Sequence, residues 1–215
     1  MQYLTDYAAG VERGCILSDC GAYRYRLWRD WDKRRPTIAF MMLNPSTANH
    51  LTDDPTIARC MSRAVAGGFG RLEVTNLFPL RATHPDALLT RPDPLGRNAG
   101  EMSADDAIME TVEGALMIIC GWGAHPAAAA RAPDVMRLLQ SAGIRERLYC
   151  LGINRNGSPK HPLYVAAGEQ PRRYVMDDEC TTTQAMLCRL FQVGDDPMQY
   201  IATQNGPAAR RSVSA

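Results

Sequence analysis

TIAFMMLNPSTANHLTDDPT, residues 37–56, is the stretch whose reading decides the fold. Its first part, Ile38 to Leu43, is an uninterrupted apolar run of strand length. That pattern predicts a strand buried on both faces at the centre of a parallel sheet, not the alternation of a half-exposed one. At Asn44-Pro45-Ser46-Thr47 the chain turns abruptly polar. Ligands of open α/β sheets bind outside the carboxyl ends of the strands, so this strand end is the first candidate site. Asn and Pro also favour turns that hold no ligand, and the same residues read equally as a plain turn. Beyond them, Pro55 to Ala66 predicts a helix, with Asp53 or Asp54 as N-cap, Pro55 in the first turn, and Ile57, Met61 and Val65 on one face. At least one of the two aspartates caps this helix; the other role open to them is to set carboxylates beside the Asn44 loop.

Upstream, Tyr23, Tyr25 and Leu27 alternate with Arg24, Arg26 and Trp28. This period of two predicts a half-exposed strand in a hairpin, within an N-terminal segment (residues 1–35) packed on a main domain of residues 36–176. Arg24, Arg26, Arg29, Lys33, Arg34 and Arg35 make it the most basic region. Contact with phosphate fits this charge, and so does the solvated, charge-protected face of an edge strand.

Downstream, Gly67, Gly68 and Gly70 precede a strand, Leu72 to Leu77, and so punctuate the chain instead of cradling a phosphate, which requires glycines after a strand and before a helix. Asn76 lies at the tip of that strand, followed by Phe78. A side-chain amide offers both a donor and an acceptor, as reading the edge of a pyrimidine-like base requires; satisfying the backbone of a turn is its other use. Pro85 to Arg97 reads as a proline-rich loop and Asn98 to Glu113 as a helix. Leu116 to Cys120 is a third strand, ending in Gly121-Trp122-Gly123-Ala124-His125-Pro126, where Trp122 is either structural or a pocket wall and His125 suits a surface or capping place. Ala127 to Gln140 continues as a helix interrupted near Pro133. A fourth strand, Leu148 to Ile153, runs into NRNGSPKHPLYV, a rigid loop crowded with donors. In it His161 suits hydrogen bonding to a leaving oxygen or proton transfer, and Lys160 suits phosphate. From Gly168 the signals fade. Thr181 to Val193, within residues 177–203, has the spacing of a last helix, and residues 204–215 read as a disordered tail.

Strands alternating with helices give an α/β fold, a three-layer α/β/α sandwich with a central, mainly parallel sheet. With 215 residues, 46% hydrophobic and 22% charged, the chain can bury a full core. A formal net charge of +1 neither implies nor excludes nucleic acid. No apolar run approaches the ~20 residues of a membrane span, and residues 1–14 lack a signal-peptide pattern, so a cytoplasmic protein without a membrane partner is expected. The seven cysteines are scattered without a CxxC pair. Reduced, mostly structural thiols are expected, with no metal and no cofactor.

Taken in order, MLNPSTA, DDPTIARC, TNLFPLRAT, GWGAH and NGSPKHPLY resemble a bacterial and phage domain family of unknown function, over most of Cys15 to Val165. More distantly, the arrangement resembles the uracil-DNA glycosylase superfamily. Asn44-Pro45 is similar to that superfamily's first-strand motif, Asn76 to its base-reading asparagine, Trp122-Gly123 to its Trp-Gly pair, and His161-Pro162-Leu163 to its last motif, with Leu163 as the wedge. The resemblance implies a flipped nucleotide of DNA, or a free nucleotide, lying between the strand ends. Asn76 would pair with the base, Asn44 would hold water near the sugar carbon, Asp53 or Asp54 would take a proton, and His161 would stabilise charge on the departing base. Pro45, Ser46, Phe78 as stacking aromatic, Trp122, Ser158 and Lys160 complete the expected binding set. The chain departs from the pattern in having no aromatic between Asn44 and Phe69, in its DDPT segment, and in lacking a serine after Pro162. A modified base, a transferase or hydrolase that leaves the glycosidic bond intact, and a non-catalytic nucleic-acid-binding module therefore stand beside glycosidic hydrolysis.

Overall fold

The computed structural model describes residues 1–99 and 102–175. The helix expected within 177–203 and the tail of residues 204–215 lie outside the described residues. In chain order the elements are β1 (Gln2–Ala8), β2 (Val11–Leu17), β3 (Arg24–Asp30), β4 (Thr37–Met42), α1 (Pro55–Ala66), β5 (Arg71–Asn76), α2 (Ala87–Thr90), α3 (Ala104–Glu113), β6 (Met117–Cys120), α4 (Pro126–Ser141), β7 (Leu148–Cys150) and β8 (Arg172–Arg173). The strands form one eight-stranded mixed sheet in the order β1-β2-β3-β5-β4-β6-β7-β8. β4 pairs in parallel with β5 on one side and β6 on the other, and β6 pairs in parallel with β7. The apolar run in β4 is buried on both faces, as its composition requires.

The sheet is mixed rather than mainly parallel, because β1, β2 and β3 are not a hairpin packed on the domain. They continue the sheet, β3 pairing antiparallel with β5 from Leu27↔Val74 to Asp30↔Arg71. β3 is therefore an inner strand. Its arginines are not a solvated edge: Arg24 and Arg29 are buried, and Arg26 lies partly buried against Glu73. The register of β2 with β3 shifts between Ile16 and Leu17, where Ile16 faces Arg26 and Leu17 faces Arg24. This one-residue bulge breaks strict alternation at Tyr25 and brings Arg24 to the face that carries Leu27 and Arg29.

Parallel pairing lets side chains of matched residues share a face. Ala39, Met41, Ile118, Cys120, Leu148 and Cys150 form one core with Ile108 and Val112 of α3 and Val135 and Leu139 of α4. Residues of the opposite parity, among them Phe40, Val74 and Ile119, lie on the other face, which α1 covers with Ile57, Cys60 and Ala64. The buried stripe of α1 is thus not Ile57, Met61 and Val65; Val65 is exposed. Steps of three and four residues keep to one side of a 3.6-residue helix, whereas two steps of four drift off it, and small Cys60 and Ala64 let the helix approach the sheet closely.

The helix ends follow local chemistry. The Asp54 side chain accepts from the Ile57 N–H, and Pro55 opens the first turn. α3 begins later than expected, at Ala104, because Ser103 and Asp106 form a reciprocal capping box there. α4 runs through Pro133 without interruption. The carbonyl that Pro133 cannot serve belongs to Ala129, which is exposed to solvent. A one-turn helix, α2, interrupts the loop expected over residues 85–97.

Candidate active site at the carboxyl edge of the sheet

The connection from β4 leads through α1 to β5 on one side, and that from β6 leads through α4 to β7 on the other. In open α/β sheets, the point where the connections of adjacent strands diverge is where ligands bind, and here that point lies between Asn44 and Gly121.

The loops of this edge are tied together. Asn44 Nδ2 donates to the Pro45 carbonyl at 3.0 Å and to the Ala82 carbonyl at 2.8 Å, while Ala82 N–H donates back to Pro45 O at 2.9 Å. Two carbonyl partners fix the amide orientation, since only the amino group can donate. The Oδ1 atom is left without a partner among the described residues. Asn44 therefore serves the turn and still offers an acceptor. Pro45 is buried beneath this turn and Ser46 is partly exposed.

Asn76 ends β5 beside Met42, on the face covered by α1. It is 4% exposed, and neither Oδ1 nor Nδ2 has a hydrogen-bond partner among the described residues. It does not satisfy a turn. A buried amide with both groups unpaired costs about 1–3 kcal/mol for each lost partner, a penalty that a bound amide-like edge removes.

The two aspartates separate. Asp53 Oδ1 accepts from Arg29 Nε at 3.0 Å and Nη2 at 2.6 Å, and Oδ2 from Arg13 Nη2 at 3.1 Å. Both its oxygens are held by arginines, so Asp53 clamps the loop to β2 and β3. Asp54 Oδ1 caps α1, and Oδ2 has no partner among the described residues. The Asp54 charge acts on both Arg24 and His161.

His161 is carried by a rigid loop. Gly123 N–H donates to the Pro159 carbonyl at 2.9 Å and Lys160 N–H to Gly152 O at 2.8 Å. A Cβ on Gly121 would stand 2.8 Å from Pro162 Cδ, so only glycine lets the His-Pro turn close onto the end of β6. The Leu163 N–H donates to His161 Nδ1 at 3.3 Å. That bond requires Nδ1 to be unprotonated, which places the proton of the neutral ring on Nε2. Burial holds the imidazole below its ordinary value, partly offset by Asp54. His161 is thus a neutral ring with an Nε2–H to donate.

Other expected residues are used differently. Phe78 and Trp122 belong to the core with α3 and α4, Trp122 packing edge-on against Tyr174 at 5.6 Å. Ser158 is engaged within its own turn, donating to Asn156 Oδ1 and accepting from Asn154 Nδ2. Lys160 is exposed, its methylenes over Gly152. Leu163 is partly buried, whereas Tyr164, tilted against the His161 ring at 5.6 Å, is 82% exposed. Sequence reading had Arg24 only as one of six basic residues suited either to phosphate or to a solvated edge, and it missed Arg81. A bulge brings one to this edge, and a bridge between Tyr23 and Leu80 holds the other near it. Cys15 Sγ lies 3.9 Å from His50 Nδ1, but burial pushes the thiol up and keeps it neutral. The five described cysteines are free thiols, and no helix among the described residues is long and apolar enough to cross a membrane.

These features define an α/β protein with polar side chains gathered at the carboxyl edge of its parallel strands. The chain belongs to a family described as a protein of unknown function (DUF1643), whose model matches residues 24–163, from Arg24 through the His161 turn. No curated protein and no solved structure matches it.

Proposed function

We propose that this protein is a DNA glycosylase-like hydrolase that cleaves the N-glycosidic bond of a uracil-like or modified nucleobase, on a three-layer α/β/α scaffold of the uracil-DNA glycosylase kind. The observation that carries the reading is Asn76, a buried amide whose donor and acceptor are both unpaired at the carboxyl edge of the sheet. In this reaction Asn76 pairs with the base edge, and Asn44 Oδ1 accepts from a water placed at the sugar carbon. The water oxygen bonds to that carbon as the glycosidic bond breaks, and its electron pair leaves with the base. Asp54, the aspartate not engaged by arginine, takes the proton of the water, and the Nε2–H of His161 donates to the base oxygen on which charge develops.

Incubation with single- and double-stranded oligonucleotides carrying uracil, mismatched thymine or 5-modified pyrimidines is expected to yield an alkali-labile abasic site and the free base, read by gel and mass spectrometry. No abasic product across the panel would refute the glycosidic reading. Asp54→Asn separates capping from proton transfer. Asparagine caps as well as aspartate, so the urea midpoint is expected to hold within about 0.5 kcal/mol of stability. Turnover is expected to fall roughly 10²-fold or more. An undiminished rate would make Asp54 a cap alone.

A second reading rests on Phe78 and Trp122. Since both rings are core residues, neither offers a face for stacking, and a base gripped by its edge suits a transferase or hydrolase acting on a base substituent of a nucleotide. It predicts a mass change with the glycosidic bond intact.

A further inference from the structure

We infer that Arg24, supported by Arg81, is the binding group for a phosphate of the substrate, at the same sheet edge as Asn76. This rests on the nucleobase reading above and extends it from a base to a nucleotide. Arg24 is 2% exposed. The other buried arginines among the described residues have carboxylate partners, Arg29 in Asp53 and Arg131 in Asp105. Arg24 has none at ion-pair distance. Its Nη1 donates to the Ala48 carbonyl, Nε is buried without a partner, and Nη2 donates to no described group. The unused Nε–Nη2 edge is the side of a guanidinium that meets two phosphate oxygens in parallel. Arg81 stands close by: Arg24 N–H donates to Pro79 O, Arg81 N–H to Ala22 O, and Arg81 Nε is likewise buried and unpaired. Asp54 is the carboxylate whose charge reaches Arg24, without forming an ion pair, and a buried cation short of a full partner is costly unless a further anion joins it. Burial lowers the Arg24 pKa to about 10, so the group remains charged at neutral pH.

The test uses the whole chain with inorganic phosphate, uridine, uridine 5′-monophosphate and a uracil-containing oligonucleotide, followed by calorimetry and thermal midpoint. The monophosphate is expected to bind wild type at least roughly tenfold tighter than Arg24→Met, uridine to bind both alike, and Arg24→Lys to recover part of the loss. Equal binding by wild type and Arg24→Met of both the monophosphate and the oligonucleotide would overturn the inference. If Arg24→Met does not fold, the wild-type midpoint decides: no rise with phosphate over chloride at matched ionic strength overturns the site. The base reading fails separately, when Asn76→Ala leaves uridine and monophosphate binding unchanged while Arg24 dependence persists. Arg24-dependent binding of the oligonucleotide without the mononucleotide assigns the phosphate to a phosphodiester, and the converse to a free nucleotide.

Discussion

Asn76→Leu is expected to stabilise the protein while abolishing its action on the base. Leucine is close in size to asparagine, and the site lies at the end of β5, where the neighbouring Leu72 and Val74 of the same face are fully buried. Replacing an amide whose two polar atoms are both buried and unpaired removes a desolvation penalty of about 1–3 kcal/mol and adds apolar burial. For a domain of this size that corresponds to a rise of roughly 2–10 °C in Tm. A structural asparagine would behave in the opposite way, since its loss would leave former partners unsatisfied. On the activity side, a site built to hydrogen-bond an edge discriminates by factors of about 10⁴–10⁵ against ligands that lack the matching groups, and loss of the protein's half of that pairing is expected to approach the same scale. Thermal unfolding and single-turnover assays on one preparation check both halves. A fall in Tm with retained turnover would show that Asn76 is a packing residue.

His161→Gln is expected to lower turnover by about 10²–10⁴-fold and to remove an acid limb from the pH profile. The native ring is neutral, with Nδ1 accepting from Leu163 N–H and the proton on Nε2. Burial depresses its pKa below the ordinary value near 6.5. Protons therefore bind the unfolded chain more readily than the folded one between the lowered native pKa and 6.5. In that window stability rises with pH. The contribution of the neutral ring is complete above about pH 6.5 and is lost as pH falls through the native value. Acidification also protonates Nδ1, breaks the Leu163 bond and turns the ring, so activity falls over the same range. Glutamine keeps an acceptor for Leu163 N–H but does not titrate. The variant is thus expected to show a flatter urea midpoint against pH below 6.5 and a pH-independent residual rate there. An acid limb unchanged in His161→Gln would assign it to another group and leave His161 a role in holding its turn.

Much of the architecture was readable because it depends on local pattern. The continuous apolar run of β4 needs burial on both faces, and a parallel partner on either side supplies it. Asp54-Pro55 opens a helix wherever it stands, because a carboxylate and a residue without N–H suit the unpaired first turn. The strand ends at Asn44, Asn76 and Gly121 followed from the switch from apolar to polar residues. Other features depended on residues distant in sequence. The alternation of Tyr23 to Trp28 suggested a half-exposed strand, but a bulge opposite Ile16 and Leu17 changes the face of Arg24, and pairing with β5 buries β3. Phe78 and Trp122 carry rings suited to stacking, yet only the approach of α3 and α4 settles that they are core residues.

By itself, the sequence determined the alternating α/β framework, the central strand and the polar residues at the strand ends, because hydrophobic periodicity and capping act over a few residues. Tertiary structure alone decided which of those polar residues remain available. Asp53 is occupied by arginines from β2 and β3, while Asp54 keeps an unpaired oxygen. His161 has its tautomer set by its own turn, and Asn76 and Arg24 are buried with unused hydrogen-bonding groups. Availability is a property of what surrounds a side chain, and those surroundings come from strands and loops tens of residues away.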